Sequence, residues 1–208
     1  MQRYFFVLLV RCPWVETYNV NGLCFVLHLD LLVAHNVLLV GYRGTGKSTV
    51  GRVLAQSLDY QFIDTDDEIE SRARCSIRSI FAQQGEEAFR DLESRVIVEF
   101  TSKQKLVLSL GGGAILRKQN RDLITQCGPV VWLTATVATI ANRVGLDPDS
   151  QSRRPNLTVQ GGVDEIESIL SARLPIYQAV ATFIVATDDR TPEKVVDEIL
   201  RVSKGRLT

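Results

Sequence analysis

A phosphate-binding motif constrains this chain more than any other feature of its sequence. Residues 41–48 read GYRGTGKS and match G-x-x-x-x-G-K-[ST] at every fixed position. The glycines permit a tight loop whose backbone N–H groups point inward at phosphate oxygens, and the helix that follows adds the positive end of its dipole. Lys47 supplies a charge for the β- and γ-phosphates, and the Ser48 hydroxyl can bind Mg²⁺. The motif therefore predicts a strand, a loop and a helix that together bind a nucleoside triphosphate.

Short apolar strands alternate with helices after residue 35. The predicted strands are 36–40, 60–63, 106–110, 130–134 and 182–185. The predicted helices are 48–58, 67–74, 77–84, 85–101, 137–144, 163–177 and 192–204, with a polar loop at 145–162. Strands that alternate with helices pair in parallel through crossover connections, so we predict an α/β domain. Ligands of such sheets bind beyond the carboxyl ends of the strands, where the candidate residues of this chain lie.

Two aspartates stand at the end of the second predicted strand, in the sequence FIDTD. Side chains alternate along a strand, so Asp64 and Asp66 are predicted to face the same side. Near a triphosphate, one carboxylate can hold Mg²⁺ through water and the other can accept the proton of an attacking hydroxyl. The alternative is a helix cap, because Asp66 precedes a helical run with acidic residues in its first turn. The residues alone leave both interpretations open.

Three glycines and five arginines are further candidates. The triplet 111–113 ends the third predicted strand, where it would allow close backbone approach to a ligand, although a simple turn is the more common explanation. Arginine forks bind carboxylate and phosphate with two hydrogen bonds. Considered one at a time, each arginine is more often a solvated surface residue than a ligand-binding one. The five arginines are Arg90, Arg143, Arg154, Arg173 and Arg190.

The composition removes several classes of function. The 24 Lys and Arg residues are balanced by 24 Asp and Glu, which gives no bulk electrostatic attraction to nucleic acid or to an anionic membrane. The apolar runs fall short of the roughly 20 residues that span a bilayer as a helix. Cys12, Cys24, Cys75 and Cys127 form no C-x-x-C pair, so we expect free thiols in a reducing cytoplasm.

Residues 1–34 look unlike the rest of the chain. Their apolar patches, such as 5–10 and 23–27, are interrupted by charged residues and a proline. The first patch is too short for the apolar core of a secretory signal, which needs roughly 7–15 residues. We interpret the segment as a non-essential extension arising from a start site assigned too far upstream. The alternative is that it folds back as an additional strand or helix.

Taken together, these motifs resemble those of the shikimate kinases. The resemblance covers residues 36–203, nearly everything but the amino-terminal extension. The similar segments are GYRGTGKST, FIDTDDEIE, SIRSIFAQQGEEAFRDLE, SLGGGA, the RRP of the polar loop, ARLPIYQAVA and VATDDRTPEKVV. A phosphate loop alone is shared by many families, whereas DTD, GE-x-x-FR, GGG and R-x-P-x-Y in this order are specific.

The resemblance implies a role in acceptor binding for four of the matched residues. Asp66 would contact the acceptor hydroxyls and is a candidate base. Arg90 and Arg173 would clamp the substrate carboxylate, and Gly112 would contact the substrate through its backbone. The implied catalytic residues are Lys47, Asp66 and Arg154.

The resemblance also implies the nucleotide and metal sites. Ser48 and Asp64 would hold Mg²⁺. Arg154 would act from a lid, the loop 145–162, and reach the transferring phosphate. Arg143 would lie beside the adenine and Arg190 in the adenine loop. The implied ATP-binding residues are Gly44, Thr45, Gly46, Lys47, Ser48, Thr49, Arg143, Arg154 and Arg190.

The family fold is a P-loop kinase fold, a five-stranded parallel sheet flanked by helices, as in nucleoside monophosphate kinases. The implied reaction is ATP-dependent phosphorylation of the 3-hydroxyl of shikimate, in aromatic amino acid biosynthesis, with Mg²⁺ as cofactor. We expect a cytoplasmic monomer with no nucleic-acid or membrane partner. One alternative is a gluconate-type sugar-acid kinase, against which GGG and R-x-P-x-Y argue. The other is an inactive shikimate kinase-like binding protein, against which the intact Lys47, Asp64, Asp66 and Arg154 argue.

Overall fold

The computed structural model describes residues 17–20, 23–26, 35–146 and 162–203. The chain divides into two units, Met1–Val33 and Ala34–Thr208. In the first unit, strands β1 (Thr17–Val20) and β2 (Leu23–Val26) pair antiparallel. They form a two-stranded sheet.

A five-stranded parallel sheet forms the centre of the second unit. Its strands are β3 (Val37–Val40), β4 (Gln61–Asp64), β5 (Leu106–Ser109), β6 (Val130–Thr134) and β7 (Phe183–Ala186). Their order is β4-β5-β3-β6-β7, and every neighbouring pair is parallel. The predicted α/β class is therefore confirmed. Because β3 lies between β5 and β6, the loop after β3 opens at the point where the strand order reverses, which is where such sheets bind ligands.

Seven described helices accompany this sheet. They are α1 (Lys47–Leu58), α2 (Thr65–Ala73), α3 (Ile77–Thr101), α4 (Lys118–Cys127), α5 (Val137–Leu146), α6 (Gly162–Val180) and α7 (Pro192–Val202). Gly85 has non-helical dihedral angles (φ 83°, ψ 175°) and kinks α3 where the sequence predicts that two helices meet. Helix α4 was missed, because only Asn120 and Ile124 of its ten residues are buried and its sequence contains few apolar residues.

The three central strands β3, β5 and β6 are buried on both faces, which explains their nearly continuous apolar sequences. Leu38 and Val40 of β3 pack in one core with residues of α2, α3, α4 and α6. Val37 and Leu39 point the other way and pack in a second core with residues of α1 and α7. The predicted free thiols are observed at Cys75 and Cys127, the two cysteines whose side chains the structure describes. Among the described helices, none combines the length and apolar character that a bilayer-spanning segment needs.

Candidate active site

The phosphate loop joins β3 to α1 in a conformation that only glycine adopts readily. Gly46 precedes α1 in the left-handed region (φ 87°, ψ 15°). The Thr45 hydroxyl donates to the Tyr42 carbonyl (2.8 Å) and closes the turn. No described side chain caps α1, so its first N–H groups are available to an anion. Lys47 Nζ folds over the loop and donates to the carbonyls of Gly41 (2.9 Å) and Tyr42 (3.0 Å).

Ser48 and Asp64 form a pair of oxygen ligands beside this loop. Ser48, in the first turn of α1 next to Thr49, donates from Oγ to Asp64 Oδ2 (2.6 Å). The other carboxylate oxygen, Oδ1, accepts from the backbone N–H of Asp66 (3.0 Å), which fixes the Asp64 side chain. Hydroxyl and carboxylate oxygens are the ligands that Mg²⁺ takes in proteins. The hydroxyl and carboxylate oxygens of this pair therefore fit Mg²⁺. Among the described residues, no group of three or more His, Cys, Asp or Glu could hold a metal ion.

The structure corrects the predicted relation between the two aspartates. Strand β4 ends at Asp64 and α2 begins at Thr65, so Asp64 and Asp66 do not alternate along one strand. Asp64 is the N-cap of α2, whereas the sequence reading considered Asp66 for that role. The reason is local, because the Asp64 carboxylate accepts from an amide two residues ahead and turns the chain directly into the helix.

Asp66 nevertheless lies close to Gly111, just beyond the carboxyl end of β5. A methyl group placed on Gly111 would lie 2.7 Å from Asp66 Oδ1 and 2.9 Å from Glu93 Oε1. A methyl group on Gly113 would overlap the Arg90 guanidinium. Glycine is required at positions 111 and 113, because charged side chains of α2 and α3 lie against the backbone there and leave no room for a methyl group. The triplet is therefore more than a turn.

Arg90 and Glu93 form a buried, hydrogen-bonded pair on α3. Arg90 Nη1 donates to Glu93 Oε2 (2.9 Å), and Arg90 Nη2 donates to Glu86 Oε1 (3.0 Å). Glu93 is only 1% exposed. Burial raises the pKa of Glu93, and the positive charges of Arg90, Arg173 and Arg117 oppose that rise. Sequence reasoning missed Glu93, although its i+3 spacing from Arg90 on a helix was a usable signal.

Arg173 and Tyr177 of α6 converge on the middle glycine. Arg173 Nη1 and the Tyr177 hydroxyl both donate to the Gly112 carbonyl, each at 3.0 Å. Tyr177 is buried and stacks on Trp132 of β6, with ring centroids 5.3 Å apart. Sequence reasoning recognised this tyrosine only as part of a motif. The structure shows that it holds the Gly112 backbone in place.

One cavity is lined by three of the four predicted acceptor-binding residues, and Asp66 is not among them. Arg90, Arg173 and Gly112 line it together with the apolar side chains of Phe81 and Phe89, whose ring centroids lie 4.8 Å apart. The two arginines belong to different helices and are brought to one wall by the fold. We call this space the acceptor cavity. Two guanidinium groups beside aromatic rings suit a small cyclic molecule that bears a carboxylate.

The predicted adenine residues lie along a second, more open cleft. Arg143 and Arg190 line this cleft together. Arg143 Nη1 donates to the Gly44 carbonyl (3.2 Å), and Nη2 donates to the Thr187 carbonyl (2.8 Å). Arg143 thereby ties the phosphate loop to the segment that follows β7. Arg154 and positions 147–161 of the predicted lid lie outside the described residues, so both stay predictions.

Comparison with known proteins assigns the chain to a family. The family model for shikimate kinase matches residues 43–204. The chain belongs to the shikimate kinase family. The shikimate kinase of Rhodopirellula baltica is 39% identical over 178 residues, which cover 86% of this chain and 95% of that protein. The shikimate kinase of Histophilus somni is 43% identical over 166 residues, which cover 79% of this chain and 93% of that protein.

A solved shikimate kinase agrees with this assignment. The shikimate kinase from Acinetobacter baumannii in complex with shikimate superimposes with a TM-score of 0.77 at 36% identity. The match covers 84% of this chain and 96% of the other. Both the predicted family and its P-loop kinase fold are therefore confirmed.

Proposed function

We propose that this protein transfers the γ-phosphoryl group of ATP to the 3-hydroxyl of shikimate, giving ADP and shikimate 3-phosphate. The observation that supports this most directly is the meeting of two sites at Gly112. A methyl group there would lie 3.5 Å from the phosphate-loop carbonyl of Gly41 and 3.8 Å from Arg173 Nη1. The nucleotide loop and the carboxylate clamp are thus neighbours, as direct transfer between two bound substrates requires.

The acceptor would enter with its carboxylate between Arg90 and Arg173. Glu86 and Glu93 already orient the Arg90 guanidinium, so little side-chain freedom is lost on binding. The Gly112 carbonyl, together with Tyr177, orients Arg173 in the same way. The aromatic side chains of the cavity would pack against the carbon ring.

Asp66 would act at the reacting hydroxyl. It lies beside Gly111 at the end of β5, one residue from the point where clamp and phosphate loop meet. The 3-hydroxyl oxygen forms a bond to the γ-phosphorus, and its proton passes to the Asp66 carboxylate. The bond from the γ-phosphorus to the bridging oxygen breaks, and its electron pair leaves with ADP.

The phosphate loop would hold the triphosphate. The N–H groups of the loop and α1 would bind the phosphate oxygens, and Lys47 would exchange its two carbonyl acceptors for them. Ser48 and Asp64 would hold Mg²⁺, which neutralises charge on the phosphates when it is bound. We propose that Arg143 and Arg190 border the adenine and that Arg154 reaches the transferring phosphate.

An acceptor panel tests the proposal. Purified protein with Mg·ATP should release ADP rapidly with shikimate and far more slowly with gluconate. Lys47→Met is the matched negative control, because it removes the phosphate-loop charge and exposes any contaminating kinase. A higher kcat/KM for gluconate would make the protein a sugar-acid kinase. Shikimate binding without turnover would make it an inactive binding protein.

We also propose a cytoplasmic monomer. The free thiols Cys75 and Cys127 suit a reducing compartment. Light scattering after size-exclusion chromatography should give a single-chain mass of about 23.2 kDa, and a dimeric mass would refute the proposed monomeric state.

A further inference from the structure

Arg43 is a cation in the acceptor cavity that the mechanism above leaves unused. It occupies a variable position of the phosphate-binding motif, where the pattern requires no particular residue. Its side chain is only 14% exposed and lines the same cavity as Arg90 and Arg173. The backbone N of Arg43 would lie 3.9 Å from a methyl group on Gly112, so Arg43 enters from the nucleotide side of the cavity.

A buried carboxylate orients the Arg43 side chain. Glu165, in the first turn of α6, is 1% exposed and accepts from Arg43 Nη2 at 3.2 Å. The guanidinium carbon lies 5.7 Å from the centre of the Tyr42 ring. Burying such a pair costs desolvation energy that apolar side chains of similar size would avoid. An arginine held in this way suits recognition better than stability.

One donor of this guanidinium remains available to a ligand. Arg43 Nε is buried and has no hydrogen-bond partner among the described residues. A buried N–H group without an acceptor is unfavourable, so a ligand oxygen that reaches it gains affinity. Glu165 accepts from Nη2, so its hydrogen bond leaves the Nε–H of this cavity-lining residue without an acceptor among the described residues.

We propose that Arg43 is a third acceptor-positioning arginine, oriented by Glu165, that donates from Nε to an oxygen of the bound acceptor on the side facing the phosphate loop. This inference rests on the proposed function, since it assumes that the acceptor occupies this cavity. Arg90 and Arg173 hold the carboxylate end of the acceptor. Arg43 holds the end that must meet the nucleotide, and it thereby fixes the angle at which the hydroxyl is presented.

Two substitutions at Arg43 separate positioning from charge. Arg43→Met removes every donor, whereas Arg43→Lys retains a charge that can pair with Glu165 but lacks the Nε–H and the planar fork. Both should raise the KM for shikimate by about tenfold, the scale of one charge-assisted hydrogen bond, while the KM for ATP changes by less than about twofold. Glu165→Gln should raise the shikimate KM in the same direction by a smaller factor, because Arg43 loses its orienting charge.

Arg52→Met is the matched control. Arg52 also lies over an aromatic ring, 4.7 Å from the centre of Phe62, and has an acidic neighbour in Asp67, but it is exposed on α1. Its substitution should leave both KM values unchanged.

The outcomes decide between positioning and scaffolding. If Arg43 only braces the phosphate loop, its variants will lower the melting temperature and raise the ATP KM without a selective change for shikimate, and the inference is wrong. Unchanged KM values also refute it. Should Arg43→Met not fold, Arg43→Lys is judged by the same criteria. A wild-type protein that does not phosphorylate shikimate refutes the proposed function itself, whereas an active wild type with unaffected Arg43 variants refutes this inference alone.

Discussion

Asp64 and Asp66 show how two identical side chains, two positions apart, acquire different tasks. Asp64 has one oxygen occupied by the amide that it caps and the other directed at Ser48. Asp66 is carried by α2 to the end of β5, beside Gly111. The first is therefore suited to the metal and nucleotide, and the second to the acceptor.

This division of roles predicts a selective defect at Asp66. Asp66→Asn should lower kcat by roughly 10²-fold, the usual scale for a lost base, with little change in ATP affinity. Asp67→Asn is the control, because the neighbouring Asp67 faces Arg52 at 3.9 Å. Steady-state kinetics and nucleotide titration measure the two quantities. Near-normal turnover would mean that Asp66 serves only as one of the acidic residues in the first turn of α2.

The raised pKa of Glu93 should make the stability of the protein depend on pH. Because burial raises its pKa, folded protein retains a proton that unfolded protein loses above about pH 4.5. The stabilisation from this proton is fully present below that pH and is lost as the pH rises through the folded pKa. The groups that face Glu93 are Arg90, Arg173 and Arg117, which oppose the shift, and Asp66 across Gly111.

Glu93→Gln removes this titration. The free energy of unfolding of the wild type, minus that of the variant, should fall as the pH is raised from about 4.5. Denaturant unfolding at a series of pH values measures it. A difference that rises with pH would mean that the arginines outweigh burial and that Glu93 is ionised in the folded state.

At the scale of elements, the segment between β5 and α4 is built to admit charged side chains. The triplet 111–113 lets α2, α3 and α6 bring charged groups against one stretch of backbone. Helix α3 supplies Arg90 and Glu93 from its carboxyl-terminal part, beyond the kink at Gly85. Residues on both sides of the kink line the acceptor cavity, Phe81 before it and Phe89 and Arg90 after it.

Gly113→Ala tests this packing. The added methyl group would overlap the Arg90 guanidinium and displace it, so the shikimate KM should rise by about tenfold while the ATP KM stays near its wild-type value. A double-mutant cycle with Arg90→Ala supplies the control. If the clash with Arg90 is the cause, Gly113→Ala should add little once Arg90 has been truncated. Equal effects in both backgrounds would contradict this explanation.

At the scale of the whole molecule, the second unit contains the five-stranded sheet, both of its cores and every described site residue. Deleting residues 1–32 should therefore leave the melting temperature and the kcat nearly unchanged. Thermal unfolding and steady-state assays of the shortened and full-length chains measure this. Insoluble protein, or a melting temperature lower by several degrees, would show that the first unit stabilises the second.

The sequence by itself determined the phosphate loop, the parallel α/β class and the family, because these depend on local patterns: glycine spacing, apolar runs and motif order. It also identified Asp64, Asp66, Arg90, Arg143 and Arg173 as candidates, although it placed the two aspartates wrongly on one strand.

Only the tertiary structure decided which groups meet. The ion pair between Arg43 and Glu165 joins residues 122 positions apart, and Tyr177 reaches a carbonyl 65 positions away. Such contacts depend on the order of the strands and on the crossing of the helices above them, which no local pattern specifies. The acceptor cavity therefore depends on how the helices pack on the sheet, whereas the phosphate loop is specified by eight consecutive residues.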